Sequence, residues 1–229
     1  MAIALTADHS QQLEQPLAAA LSALGLAADA EQRARLLNYV SLLQRWNAIH
    51  NLSATHDAGE LLRHHVIDCL AIVPPLLRHA GGRSLGVLDA GTGAGLPAVL
   101  IAILLGAWQV TAVDAVAKKI AFLRQVAGEL GLRSLRPQHA RLEAMAMTPG
   151  FDVITSRAFS SLRELVNRTR HLISPSGVWV AMKGKVPDGE IGDLPADCQL
   201  FHVERLIVPG LDADRCLVWI KPAPKAKPS

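Results

Sequence analysis

Leu85-Gly-Val-Leu-Asp89-Ala-Gly91-Thr-Gly93-Ala-Gly95-Leu96-Pro97 carries an apolar run into three alternating glycines and then a proline. Leu85–Ala90 reads as a buried strand. Leu96–Leu105 reads as a helix with Pro97 near its first turn, where a missing N–H costs nothing. In an open α/β sheet, ligands bind at the carboxyl ends of strands beside such a turn. The spacing is G-x-G-x-G, and Leu96 stands where a dinucleotide loop of the form G-x-G-x-x-G has its third glycine. Asp89 closes the strand just before the loop. A carboxylate there repels a pyrophosphate but attracts an ammonium group, directly or through water. The competing reading, a turn built only for close helix–strand packing, leaves Asp89 and Asp114 unexplained.

Outward from the loop, short β-type runs alternate with helical ones. Strands are expected at Leu85–Ala90, Gln109–Asp114, Leu135–His139, Asp152–Thr155, Val178–Met182, Gln199–Val208 and Leu217–Lys221. Helices are expected at Leu96–Leu105, Ala117–Leu130 and Ser161–Leu172. Such alternation implies a mostly parallel, doubly wound, seven-stranded sheet with right-handed crossovers. Only Pro209–Arg215 separates the last two strands, so they are expected to pair as a hairpin. Residues 1–83 read as a helical extension without strands, 84–221 as the α/β domain, and 222–229 as a basic, disordered Pro/Lys tail. In the extension, Glu31–Trp46 and Glu60–Leu77 carry apolar residues at helical spacing.

The chain has 229 residues, of which half are hydrophobic and 19% charged, so it can bury a core and is not a disordered chain. Its net charge of +3 matches the three lysines of the C-terminal stretch, Lys221, Lys225 and Lys227, so bulk charge makes no case for nucleic acid. Local charge does. From Lys118 to Lys185, twelve basic residues face four acidic ones, an excess that reads as a phosphate-tracking surface or as solvated helix faces. Cys69, Cys198 and Cys216 form no CxxC and no signal peptide opens the chain, so reduced thiols in a cytoplasmic protein are expected. The histidines show no metal-ligand spacing, and no metal is expected. Ala94–Val113 lacks charge for twenty residues, but Gly95, Pro97, Gly106 and Gln109 punctuate it; it reads as buried helix then buried strand rather than a membrane span.

D-x-G-x-G-x-G followed by an acidic residue ending the next strand resembles the S-adenosylmethionine site of class I methyltransferases, which have a Rossmann-like fold. Asp114 would accept both ribose hydroxyls, a task suited to a two-oxygen acceptor. Several acceptor chemistries are absent. No Pro-Cys offers a nucleophile for cytosine C5, and Thr155-Ser156-Arg157-Ala158-Phe159 replaces the Asp/Asn-Pro-Pro-aromatic loop of exocyclic-amine transfer. An arginine standing in place of an acid fits an acceptor with no proton to lose, such as guanine N7, where alignment and desolvation matter more than a base.

The blocks Trp46-Asn-Ala-Ile-His-Asn51-Leu-Ser53, His65-Val-Ile-Asp68, Lys119-Ile-Ala-Phe122-Leu-Arg124-Gln-Val126, Phe151-Asp-Val-Ile-Thr-Ser156-Arg157-Ala-Phe159, Met182-Lys183-Gly184 and Asp212-Ala-Asp-Arg215 resemble the bacterial RsmG (GidB) methyltransferases over roughly residues 35–221. Departures at Ala98-Val99-Leu100, Ala115 and Cys69 touch no charged or glycine cofactor position. The resemblance implies methyl transfer from S-adenosylmethionine to N7 of guanine 527, in the 530 loop of 16S rRNA. The partner is then 16S rRNA or the small subunit, with no membrane, and a monomer is expected. It places cofactor contacts on Gly91, Leu96, the Leu142-Glu143 backbone and Arg157, joined by Asp89, Gly93, Gly95 and Asp114. Lys183, Arg124 and Arg215 would meet RNA phosphates or orient the base and, with Arg157, form the catalytic set. Asn51, His65 and Asp68 are either catalytic or a buried polar network, and Trp46 and Phe159 either stack on a base or fill the core. Two other functions stay open: a small-molecule methyltransferase, and a non-catalytic RNA-binding protein of ribosome assembly.

Overall fold

A computed structural model describes residues 7–50, 55–146 and 149–224. Asn51 and the lysines of the tail beyond 224 lie outside the described residues. The chain opens with helices α1 (Ala7–Ala23) and α2 (Ala30–His50). Asp29 Oδ1 accepts the Gln32 N–H at 2.7 Å and Gln32 Oε1 accepts the Asp29 N–H at 3.0 Å, a reciprocal cap that starts α2. The expected helix over Glu60–Leu77 is broken. It runs as α3 (Ala58–Leu61), a π-helical segment (Leu62–Ile67), α4 (Asp68–Leu70) and α5 (Val73–Ala80). Pro74 and Pro75 sit in the first turn of α5, where their missing N–H groups cost nothing.

Strands β1 (Gly86–Ala90), β2 (Gln109–Asp114), β3 (Leu135–His139), β4 (Phe151–Arg157), β5 (Ile173–Lys183), β6 (Cys198–Arg205) and β7 (Cys216–Pro222) form one sheet in the order β3-β2-β1-β4-β5-β7-β6. All neighbours are parallel except β7, which runs antiparallel to both β5 and β6. The connecting helices are α6 (Ala98–Leu104), α7 (Ala117–Glu129), α8 (Leu162–Thr169) and α9 (Asp188–Gly192). The charge-free stretch divides as its glycines indicated, into α6 and most of β2. No helix among the described residues is long and apolar enough to cross a membrane.

Alternate residues of each strand feed opposite cores. Val87, Val110, Val153 and Val180 meet the N-terminal helices, α6 and α7, while Leu88, Val113, Ile154 and Trp179 meet Leu162, Leu165 and Val166 of α8. The helical extension therefore shares one core with the sheet. Tyr39 is fully buried and donates to the Ala94 carbonyl at 2.8 Å, tying α2 to the glycine loop. Trp46 packs on Phe122 with ring centroids 5.4 Å apart and donates from Nε1 to Gln125 Oε1. The strand order reverses at β1, with β2 and β3 added on one side and β4 and β5 on the other, so the ligand crevice of a doubly wound sheet falls at the carboxyl end of β1.

Candidate active site

The loop after β1 folds back over the strand ends. Thr92 N–H donates to the Val113 carbonyl, and Gly93 N–H donates to Asp114 Oδ2 at 3.0 Å. Asp114 Oδ1 accepts the Val116 N–H at 2.9 Å, and Lys119 Nζ stands 3.4 Å from Oδ2. Two cavities adjoin at Gly91. The larger, about 300 Å3, is bounded by Leu43, His65, Gly93, Leu96, Lys119 and Arg157 among others. The smaller, about 140 Å3, is bounded by Asp114, Leu142, Phe159 and Arg168 among others. Phe159 lies against Gly91, 3.7 Å from where a Cβ would stand, and the Arg168 guanidinium sits over the Phe159 ring, 5.7 Å from its centroid.

The glycines divide in role. A Cβ on Gly93 would meet nothing within 4 Å, because the loop faces open cavity there. A Cβ on Gly95 would strike Leu123 Cδ2 at 2.4 Å and Val99 Cγ2 at 2.6 Å, so this glycine admits α6 and α7 against the loop and does not border the cavity. Asp89 lies beneath the loop, fully buried. Its Oδ2 accepts from Thr92 Oγ1 at 2.6 Å and from the Ala98 N–H at 3.2 Å, while Oδ1 has no partner. Burial pushes its carboxyl up to about 6, against the opposing pull of the Thr92 and Ala98 hydrogen bonds.

Arg157 ends β4 and enters the larger cavity. It pairs with neither Asp152 nor Glu164, the partners its sequence neighbourhood offered; Asp152 Oδ2 accepts the Gly86 N–H instead. The Arg157 Nη1 lies 3.8 Å from Asp68 Oδ2 and 3.4 Å from His65 Nδ1. Asp68 Oδ1 accepts from Arg215 Nε at 2.7 Å, so one buried carboxylate joins two arginines, one ending β4 and one just before β7. Burial first, and then the Arg157 charge, hold His65 below the ordinary histidine range. Ala158 follows in the left-handed region at φ 61°, a conformation disfavoured for alanine that turns the chain out of the sheet beside the cavity.

The structure therefore brings Gly91, Gly93, Leu96, Asp114, Leu142 and Arg157 together around adjoining cavities, with Asp89 below them. Arg215 joins through Asp68. Glu143 is exposed and paired with Arg168, which holds its carboxyl below the usual range. Lys183 lies 2.8 Å from Glu190 Oε2, and Arg124 is on the exposed side of α7; neither borders the two cavities. Several of the twelve basic residues find acids outside their own stretch: Arg170 pairs with Asp197 and Lys183 with Glu190. Lys119, Thr92, Arg168 and Tyr39 were not singled out as site residues from sequence. Of these only Lys119 left a signal, one turn beyond Asp114 at the start of α7.

This fold and this loop define a class I methyltransferase. A glycopeptide N-methyltransferase, MtfA, solved with S-adenosyl-L-methionine, shares the fold at 14% identity and TM-score 0.56, over 69% of this chain and 94% of that one. A Burkholderia thailandensis 1,6-didemethyltoxoflavin-N1-methyltransferase does so at 17% identity and TM-score 0.56, over 82% of this chain and 90% of that one. The GidB family model, described as rRNA small subunit methyltransferase G, matches residues 32–218. The chain belongs to that family. Ribosomal RNA small subunit methyltransferase G of Leptothrix cholodnii is 50% identical over 206 residues, 90% of this chain and 94% of its own length. The Acidovorax ebreus protein of the same name is 47% identical over 218 residues, 92% and 96% of the two chains.

Proposed function

We propose that the protein transfers a methyl group from S-adenosylmethionine to N7 of guanine 527 in 16S rRNA, as a cytoplasmic monomer. The observation that carries this reading is the lining of the larger cavity. Arg157 and Lys119 supply its cations and His65 an imidazole ring, while no aspartate or glutamate borders it among the described residues. Asp68 is turned away to hold the two arginines. No carboxylate is there to take a proton, and the His65 Nδ1 faces the Arg157 guanidinium at 3.4 Å; this lining suits a lone pair such as guanine N7, which needs alignment and exclusion of water rather than a base.

The residues fit the cofactor. S-adenosylmethionine supplies, when bound, an electrophilic methyl carried on a positively charged sulfur. The unpartnered Asp89 Oδ1 offers negative charge below the loop, Gly93 leaves open space for a ligand to approach the backbone, and Asp114 offers two oxygens for sugar hydroxyls. Arg157 holds a carboxylate or a phosphate bidentately. Leu43 and Leu96 present apolar walls that exclude water. Lys183, Arg124 and Arg215 face RNA in this reading, and Leu142 and Glu143 border the adenine. The three cysteines are free, in keeping with a reducing compartment.

Two outcomes follow. Asp114→Ala is expected to weaken cofactor binding by roughly 1.5–3 kcal/mol for each charged hydrogen bond lost; titration calorimetry giving an unchanged dissociation constant contradicts the ribose assignment. Because burial raises the Asp89 carboxyl, the stability it contributes to the free protein is fully present below the ordinary carboxylate range and is lost as pH rises from that range through about 6. Cofactor affinity moves oppositely, rising with pH through about 6 as the carboxylate ionises beside the ammonium group. Asp89→Asn should flatten that rise, and an identical pH profile in the variant rules out the contact.

The test of the whole reading is methyl transfer from labelled cofactor to 16S rRNA or small subunits. RNA binding should weaken steeply with salt, which a small-molecule enzyme would not show.

A further inference from the structure

A second concavity opens beside the site, at the ends of β5 and β6 and the start of β7. It encloses about 390 Å3 and is bounded by Lys185, Val186, Arg205, Ile207, Asp214 and Arg215 among others. Lys185 and Arg205 are exposed and make no ion pair or side-chain hydrogen bond with any described residue. This sets them apart from Lys183, Arg168 and Arg170, which acids neutralise. Asp214 is the one acid on the wall, and its backbone carbonyl accepts from Arg215 Nη1 at 2.8 Å. Ile207 is 88% exposed and Val186 36%, so an apolar face borders the cations. One ion-pair chain links its wall to the candidate active site: Arg215 holds Asp68 at 2.7 Å, and Asp68 lies 3.8 Å from Arg157.

We infer that this concavity seats the single-stranded RNA flanking the target guanosine, with Lys185 and Arg205 on its phosphates and Ile207 against a base. The inference rests on the rRNA reading above for its choice of ligand. Unneutralised cations next to exposed aliphatic surface suit a strand, which offers phosphates and unstacked bases together. A free phosphate uses only the cations. Position adds to this: a base entering the Arg157 cavity leaves its neighbouring nucleotides outside, and Arg215, on the wall of the concavity, holds the same Asp68 that lies 3.8 Å from Arg157.

The test measures binding of a short fluorescein-labelled single-stranded RNA by anisotropy across a salt series, on the full chain. Lys185→Gln with Arg205→Gln should weaken binding roughly tenfold. It should also flatten the slope of log K against log salt by about 1.4, since each phosphate contact on a single strand contributes about 0.7. Cofactor affinity and melting temperature should hold. Lys185→Arg with Arg205→Lys, which keeps both charges, should bind like the wild type. A slope unchanged by the neutral pair overturns the inference, as does a wild type with no saturable RNA binding. Loss confined to assembled small subunits and absent on protein-free RNA also overturns it, in favour of a ribosomal protein as the partner. Groove-dependent RNA binding without any methyl transfer would instead overturn the functional reading and leave the groove standing.

Discussion

Arg157→Lys should cost methyl transfer about a hundredfold, the loss typical of removing one pre-positioned donor, while thermal stability stays within about 1 kcal/mol of the wild type. The arginine stands at the carboxyl end of β4 with Nη1 directed between Asp68 and His65. Its planar fork can hold an anionic group bidentately while keeping Asp68, and a lysine cannot do both. Stability survives because Asp68 is not orphaned: Arg215 still donates to it at 2.7 Å. If Arg157 served only to pin the helical extension to the sheet, the lysine variant would melt earlier and keep its specific activity. Melting temperature and transfer to 16S rRNA, measured on one preparation, separate the two.

Gly93→Val should abolish measurable cofactor binding in a protein that still folds, and Gly95→Ala should do the reverse. Gly93 has φ 60° and faces open cavity, so valine branches would occupy ligand space at a backbone cost of about 1–2 kcal/mol. Gly95 has φ 94° and no room, with Leu123 Cδ2 at 2.4 Å from the new carbon. Overpacking there should cost about 1–3 kcal/mol of stability and leave the affinity of the folded fraction near normal. Calorimetry and thermal melts on both variants check the pair. Normal cofactor affinity in Gly93→Val would reduce the loop to a packing device.

What could be read from sequence was local. The run from Leu85 to Pro97 places strand, loop and helix by apolar pattern and glycine spacing, and the acid ending β2 follows from the same alternation. Strand ends moved by a few residues: β4 runs on to Arg157, which puts the arginine on the sheet rather than beyond it. The helix expected to Leu172 stops at Thr169. The contacts that complete the site are long-range and left no pattern. Asp68 and Arg215 are 147 residues apart, and Tyr39 and Ala94 are 55 apart. The π-helical segment that carries His65 into the cavity looks, by spacing, like an ordinary helix. Gly93 and Gly95 are equivalent in the motif, and only the packing of α6 and α7 distinguishes them. The local basic excess overstated the free charge, since partners such as Glu190 and Asp197 lie outside the stretch that was summed.

The acceptor atom is what separates this reaction from other methyl transfers to RNA. Small subunits lacking the modification are incubated with the protein and labelled S-adenosylmethionine, and the 16S rRNA is then digested and mapped by mass. One new methyl group is expected, on the fragment containing guanine 527, with the borohydride- and aniline-sensitive chain cleavage that a cationic N7-methylguanine confers. A methyl group on an exocyclic amine, a ribose hydroxyl or a ring carbon, resistant to that cleavage, would contradict it.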